Sequence, residues 1–97
     1  MITEIVQIEV RPGTEKGFEA AVAKVAAFPP VKGHLGLELH RSIEGRQRYL
    51  LIAKWETMDA HVNFLASANF AEWRALVGSY FASPSKAEHT ETVFSTV

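Results

Sequence analysis

Apolar positions recur along this chain in two alternating periods, and the switches between them mark out the elements. From Ile2 to Val10 apolar and polar residues alternate. Val6, Ile8 and Val10 share one face and Ile5, Gln7 and Glu9 the other, as in a half-buried strand. Arg11-Pro12-Gly13 forms a turn. Thr14 then stands where a helix N-cap is expected, with Glu15 in the first turn and Phe18, Ala21, Val22 and Val25 at helical spacing. Phe28-Pro29-Pro30 stops that helix, because a residue before proline is driven out of helical dihedrals. A second strand sets Leu35, Leu37 and Leu39 on one face, and Glu44-Gly45 turns the chain into a third, Arg48 to Glu56. This third strand is apolar on both sides, with Tyr49, Leu51, Ala53 and Trp55 against Leu50 and Ile52. Thr57 caps a second helix. A break at Ser67-Ala68-Asn69, with Asn69 read as a cap, restarts a third helix that ends near Pro84. Lys86 to Val97, rich in Thr and Val, reads as a fourth strand.

The order β-α-β-β-α-β predicts an α+β, ferredoxin-like fold, a four-stranded antiparallel sheet with the helices on one face, formed by residues 1–97 as one domain. The other sheet face is left bare. With the third strand apolar on both sides, a second copy is expected to cover it in a face-to-face homodimer.

Ten basic and eleven acidic residues leave a net charge of −1, so bulk charge attracts neither nucleic acid nor an anionic membrane. The chain has no cysteine, which removes disulfides, thiolate nucleophiles and sulfur-ligated zinc and suits a reducing cytoplasm. Its N-terminal MITEIVQIEV alternates and carries acids, unlike a signal peptide, and no apolar run approaches the roughly 20 residues of a membrane span. A cytoplasmic protein is expected.

Two residues sit where core packing does not want them. At about 100° per residue, Met58, Val62 and Leu65 form a stripe whose arc includes His61. On the next helix Phe70, Trp73, Val77, Tyr80 and Phe81 group together, with Arg74 on the shoulder. An inward arginine needs an acid, a wet cavity or an anionic ligand. His61 is therefore a candidate proton acceptor and Arg74 a candidate anion holder, in a pocket lined by Phe64, Phe70, Trp73 and Tyr80. The plainer reading makes His61 a helix-boundary residue bonded to a carbonyl, Arg74 a surface residue lying on Phe70, and the aromatics core. His34, Glu38 and His40 share a strand face, but at ~3.3 Å per residue the two histidines stand roughly 20 Å apart, so no metal site is expected there. His89 reads as a sheet-surface or dimer-contact residue.

The layout resembles the antibiotic biosynthesis monooxygenase family of dimeric α/β barrels. The resemblance rests on Arg11-Pro12-Gly13-Thr14, Gly33-His34-Leu35-Gly36, Tyr49-Leu50-Leu51-Ile52 leading into Trp55-Glu56, Thr57 to His61, the Ser67 to Phe70 break and Pro84. It implies paired sheets in a dimeric barrel and, in one branch, oxidation of a phenolic or hydroquinone-like molecule to a quinone by dioxygen. That chemistry uses neither metal nor flavin, and the chain has no cofactor-binding motif. The haem-degrading branch of the family uses an asparagine, a tryptophan and a histidine where this chain has Val6, Phe64 and Arg74, which argues against that activity. The alternative is a dimeric module of the same fold that binds a small aromatic molecule without catalysis.

Overall fold

The computed structural model describes Met1 through Val97. The elements are β1 (Ile2–Glu9), α1 (Glu15–Val25), β2 (His34–Arg41), β3 (Arg48–Trp55), α2 (Met58–Leu65), α3 (Ala68–Val77), a 3₁₀ turn (Gly78–Tyr80) and β4 (Lys86–Thr90). The four strands form one antiparallel sheet in the order β2-β3-β1-β4, the ferredoxin-like arrangement expected from the element order.

The alternation of β1 carries into the packing. Val6, Ile8 and Val10 are buried beside Tyr49 and Leu51 of β3, and Phe18, Ala21 and Val22 of α1 with Val77 of α3 close the core over them. Phe18 is fully buried and meets the rings of Tyr49, Tyr80 and Phe81 edge-on, with centroids 4.9, 6.2 and 6.3 Å away. Beside it the Tyr49 hydroxyl donates to Glu19 Oε2 at 2.6 Å, and Arg41 Nη1 donates to the same oxygen at 2.7 Å, tying α1 to β2 and β3. Burial, then the neighbouring Glu19, pushes the Tyr49 hydroxyl up to about 12. The Tyr49 hydrogen bond, with help from Arg41, holds Glu19 below the usual carboxylate range.

Several boundaries differ from the sequence reading. The fourth strand ends at Thr90 rather than Val97. Its one neighbour is β1, and Thr90 already pairs with Thr3, so residues 91–97 run past the start of β1 with nothing to pair against. Thr14 makes no cap bond; its hydroxyl donates instead to the Arg11 carbonyl, closing the turn. Ser67, not Asn69, caps α3, accepting from the Phe70 N–H. Leu35 leaves the face of Leu37 and Leu39 because the ladder shifts register between His34 and Gly36, and it is exposed.

The largest departure concerns α2. Its Met58, Val62 and Leu65 stripe points outward and is exposed, while His61 is the buried side chain of the helix. The helix turns a polar residue inward because the sheet beneath it presents polar partners.

Candidate functional site

Those partners come from the phase of β1. Glu4 lies two residues before Val6, so it faces the helices along with the core residues, opposite Ala53 on β3 and His89 on β4. Thr57 accepts from the Ala60 N–H and starts α2 immediately after Trp55 and Glu56, which brings His61 down onto this corner.

Four side chains meet there. Trp55 Nε1 donates to Glu4 Oε1 at 3.1 Å, and His61 Nε2 faces the same oxygen at 3.3 Å. On the far side of its ring, His61 Nδ1 is 2.7 Å from His89 Nε2. Trp55 lies 5.0 Å from the His61 ring, centroid to centroid, and seals it on one side. His61 is 5% exposed, whereas His89 opens to solvent. Hydrogen positions follow from chemistry. A carboxylate only accepts, so the proton of neutral His61 belongs on Nε2, where a lone pair would oppose Glu4. Nδ1 then accepts from His89 Nε2–H.

Burial is the main force pushing the His61 pKa down; His89 adds to it and Glu4 opposes it. A histidine depressed in the fold is neutral there while the unfolded chain takes up a proton below about 6.5. Stability is therefore fully present above that pH and falls as the pH drops from there toward the lower folded value. Thermal denaturation between pH 7.5 and 5 should show the midpoint falling, and His61→Phe should flatten that slope.

Glu4, His61 and His89 place donor atoms within 4.8 Å of one another, and two imidazoles with a carboxylate form a set that transition metals accept. The geometry argues otherwise. Ligands at ~2.0–2.1 Å from zinc stand more than about 3 Å from each other, whereas the two imidazole nitrogens touch at 2.7 Å, and His61 turns opposite ring atoms to its two partners. The arrangement is a line, carboxylate to buried imidazole to exposed imidazole, suited to moving a proton.

An aromatic row leads away from this line. Trp55 meets His34 and Phe64 at a tilt, with centroids 4.9 and 5.3 Å away, Phe64 meets Phe70 at 5.5 Å, and the Arg74 guanidinium lies 5.9 Å from the Phe70 centroid. Of the candidates from sequence, His61, Phe64 and Phe70 are therefore brought into one corner. Arg74 does not face inward; it is exposed, one 100° step round α3 from Trp73, and covers the outer face of Phe70. Trp73 and Tyr80 pack on the core around Phe18 and Val77 instead. Glu38 and His40 pair with each other at 2.8 Å on the surface, while His34 lies against Trp55. Two open grooves, about 570 and 480 Å³, border the β2–β3 hairpin around Arg41, Ser42, Ile43 and Tyr49, and neither touches Glu4, His61 or His89.

Glu4 is not among the candidates read from sequence, and His89, read there as a sheet-surface or dimer-contact residue, is exposed on β4 but also bonds His61. The signal for Glu4 was present, an acid in phase with Val6 and Ile8. His89 became readable only with the β1–β4 register.

Comparison with known proteins follows the same fold. A Bordetella bronchiseptica protein provisionally named an antibiotic biosynthesis monooxygenase is 49% identical, with a TM-score of 0.91 over 96% of this chain and 97% of its own. YczJ of Bacillus subtilis, uncharacterised, is 30% identical over 95 residues, covering 96% of this chain and all of that one. SnoaB of Streptomyces nogalater, a cofactor-independent oxygenase solved as its N63A mutant, shares the fold at a TM-score of 0.84 with 23% identity, over 98% and 95% of the two chains. The family described as antibiotic biosynthesis monooxygenase matches residues 1–76, which carry β1, the Trp55 corner, His61 and the aromatic row. With β1 through α2 inside that match and relatives aligned over 96% of the chain, this chain belongs to the antibiotic biosynthesis monooxygenase family.

Proposed function

We propose that the protein is a cofactor-independent monooxygenase that converts a phenolic or hydroquinone-like small molecule to a quinone with dioxygen. The observation that carries this reading is the Glu4-His61-His89 line beside the row of Trp55, Phe64 and Phe70: a proton acceptor next to apolar rings. A phenol that loses its proton becomes electron-rich enough to reduce oxygen itself. For a phenol with a free ring position, phenol and O₂ give quinone and water, one oxygen atom entering the new carbonyl and the other leaving as water. The protein needs only to take the proton, hold the ring against aromatic faces and offset negative charge. We assign the last task to Arg74, whose exposed guanidinium lies 5.9 Å from the Phe70 centroid. SnoaB, of the same fold, supports oxygen chemistry without a cofactor.

The reading includes a cytoplasmic homodimer. Ile5, Leu50 and Ile52 lie on the sheet face away from the core, and Val93 and Phe94 stand 97% and 80% exposed in the extended C-terminal segment, both surfaces that a second copy would cover. No helix is long and apolar enough to cross a membrane.

Aerobic incubation with a panel of anthrones, and of hydroquinones that keep a free ring position for the incoming oxygen, tests the reaction. One O₂ should be consumed per quinone formed, with one ¹⁸O atom from ¹⁸O₂ in the product. Uptake no faster than in protein-free buffer across the panel would remove the oxygenase reading.

A further inference from the structure

We infer that the base meeting the substrate is His89, and that His61 and Glu4 are positioning residues behind it. The inference rests on the oxygenase reading for its substrate class, while the proton transfer itself needs no oxygen. His61 has neither an accessible surface nor a free ring nitrogen. It is 5% exposed, Nδ1 is engaged by His89, and Nε2 faces Glu4. His89 is its opposite: exposed on edge strand β4, with Nε2 bonded to His61 and Nδ1 without a hydrogen-bond partner.

The tautomers follow in sequence. Glu4 selects Nε2–H on His61, the bare Nδ1 of His61 selects Nε2–H on His89, and the lone pair of His89 is thereby left on Nδ1, the nitrogen with no partner. When a phenol approaches, its O–H bond breaks with the electron pair kept on oxygen, and the proton adds to His89 Nδ1. The imidazolium so formed strengthens its Nε2–H contact to His61, a hydrogen bond already short at 2.7 Å. The half-buried Glu4 carboxylate compensates the new charge one residue further back. Trp55 Nε1 holds that carboxylate in place, and Ala53, opposite Glu4 on β3, adds no competing charge. The logic is that of an acid-histidine pair activating a third group, with a second imidazole in the third place.

The inference predicts substrate-independent and substrate-dependent results. In ¹⁵N-histidine-labelled protein, two-bond ¹H–¹⁵N couplings should show Nε2–H on both His61 and His89; an Nδ1–H tautomer on His89 would overturn it. With 4-nitrophenol under anaerobic conditions, at a pH low enough that the free probe stays protonated and colourless, the wild type should bind the probe as the yellow phenolate. His89→Ala should lose that band, and added imidazole should restore it. Glu4→Gln and His61→Gln should keep the band but move its appearance to higher pH, a shift that loss of packing alone does not produce. His89→Ala retaining the wild-type band, or a wild type that does not ionise the probe, overturns the inference. If the probe ionises but no oxygen is consumed with any phenol, the oxygenase reading fails by itself and the proton relay stands. Where oxygen uptake is seen, His89→Ala should lower its rate by about 10²–10⁴-fold, the usual worth of a general base.

Discussion

Phe18→Ala is expected to lower the unfolding free energy by about 3–5 kcal/mol, the range for emptying a fully buried aromatic site. Phe18 is 0% exposed and is the one residue of α1 whose ring touches three others, Tyr49, Tyr80 and Phe81. These come from β3, the 3₁₀ turn and the bridge that follows it, so the ring pins the first helix to the far end of the chain. Truncation leaves a void that none of the three can fill by a rotamer change alone. Tyr49 is held by its bond to Glu19, and Tyr80 lies in close contact with the α1 backbone at Gly17. In a chain of 97 residues this loss is a large part of a total stability of roughly 5–15 kcal/mol. Urea denaturation followed by far-UV circular dichroism measures it. Ile43→Ala, at an 89% exposed position, should stay within about 0.5 kcal/mol. A Phe18→Ala loss no larger than that control would show that the core is not organised around this ring.

The contrast between Phe18 and His61 shows which parts of the molecule were legible in sequence. Phe18, Ala21 and Val22 follow a clean helical stripe over a strand whose alternation is equally clean, so local pattern and tertiary packing agree. The element order then left few topologies, and the sheet follows one of them. On α2 the same argument misled. Its apolar stripe faces out, since what orients the helix is a pair of polar contacts from His61 to residues distant in sequence, Glu4 and His89, with Trp55 holding Glu4 in place. Periodicity reports apolar burial; it carries no information on a hydrogen-bonding partner 28 residues away. Arg74 illustrates the same limit from the other side. A 100° step separates a core position from an exposed one on α3, and a long side chain with a charged head takes the exposed option when an aromatic face is there to lie on.

The Glu4 corner also departs from what stability alone would select. A carboxylate and an imidazole set on the core side of a sheet require desolvation, and an apolar pair of equal size would serve packing as well or better. Their partners make the arrangement tolerable: the Trp55 N–H on Glu4, and His89 on His61. Breaks in local consistency of this kind concentrate at functional sites. Here the break falls on the residues that form a path from a half-buried carboxylate through buried His61 to exposed His89.

That path depends on how closely α2 sits against the start of β2, and Gly33 sets the approach. Its φ is +82°, in the left-handed region, and its carbonyl accepts from the Glu56 N–H at 2.8 Å, just ahead of α2. A Cβ placed on Gly33 would come within 2.4 Å of the Ala60 Cβ, the residue preceding His61. Gly33→Ala therefore adds a backbone penalty of about 1–2 kcal/mol for the left-handed conformation to about 1–3 kcal/mol of overpacking. We expect a net loss of roughly 2–4 kcal/mol after partial relaxation, read as a lowered midpoint in thermal or urea denaturation. Relief of the clash has a direction, since backbone on one side and helix on the other can only separate, so α2 should lift and carry His61 away from His89. The His61 and His89 imidazole resonances should shift together in Gly33→Ala, and in Gly33→Ala with Ala60→Gly they should return toward wild-type values while the φ penalty persists. A Gly33→Ala protein with wild-type stability and unmoved histidine resonances would show that α2 is seated by something other than this contact.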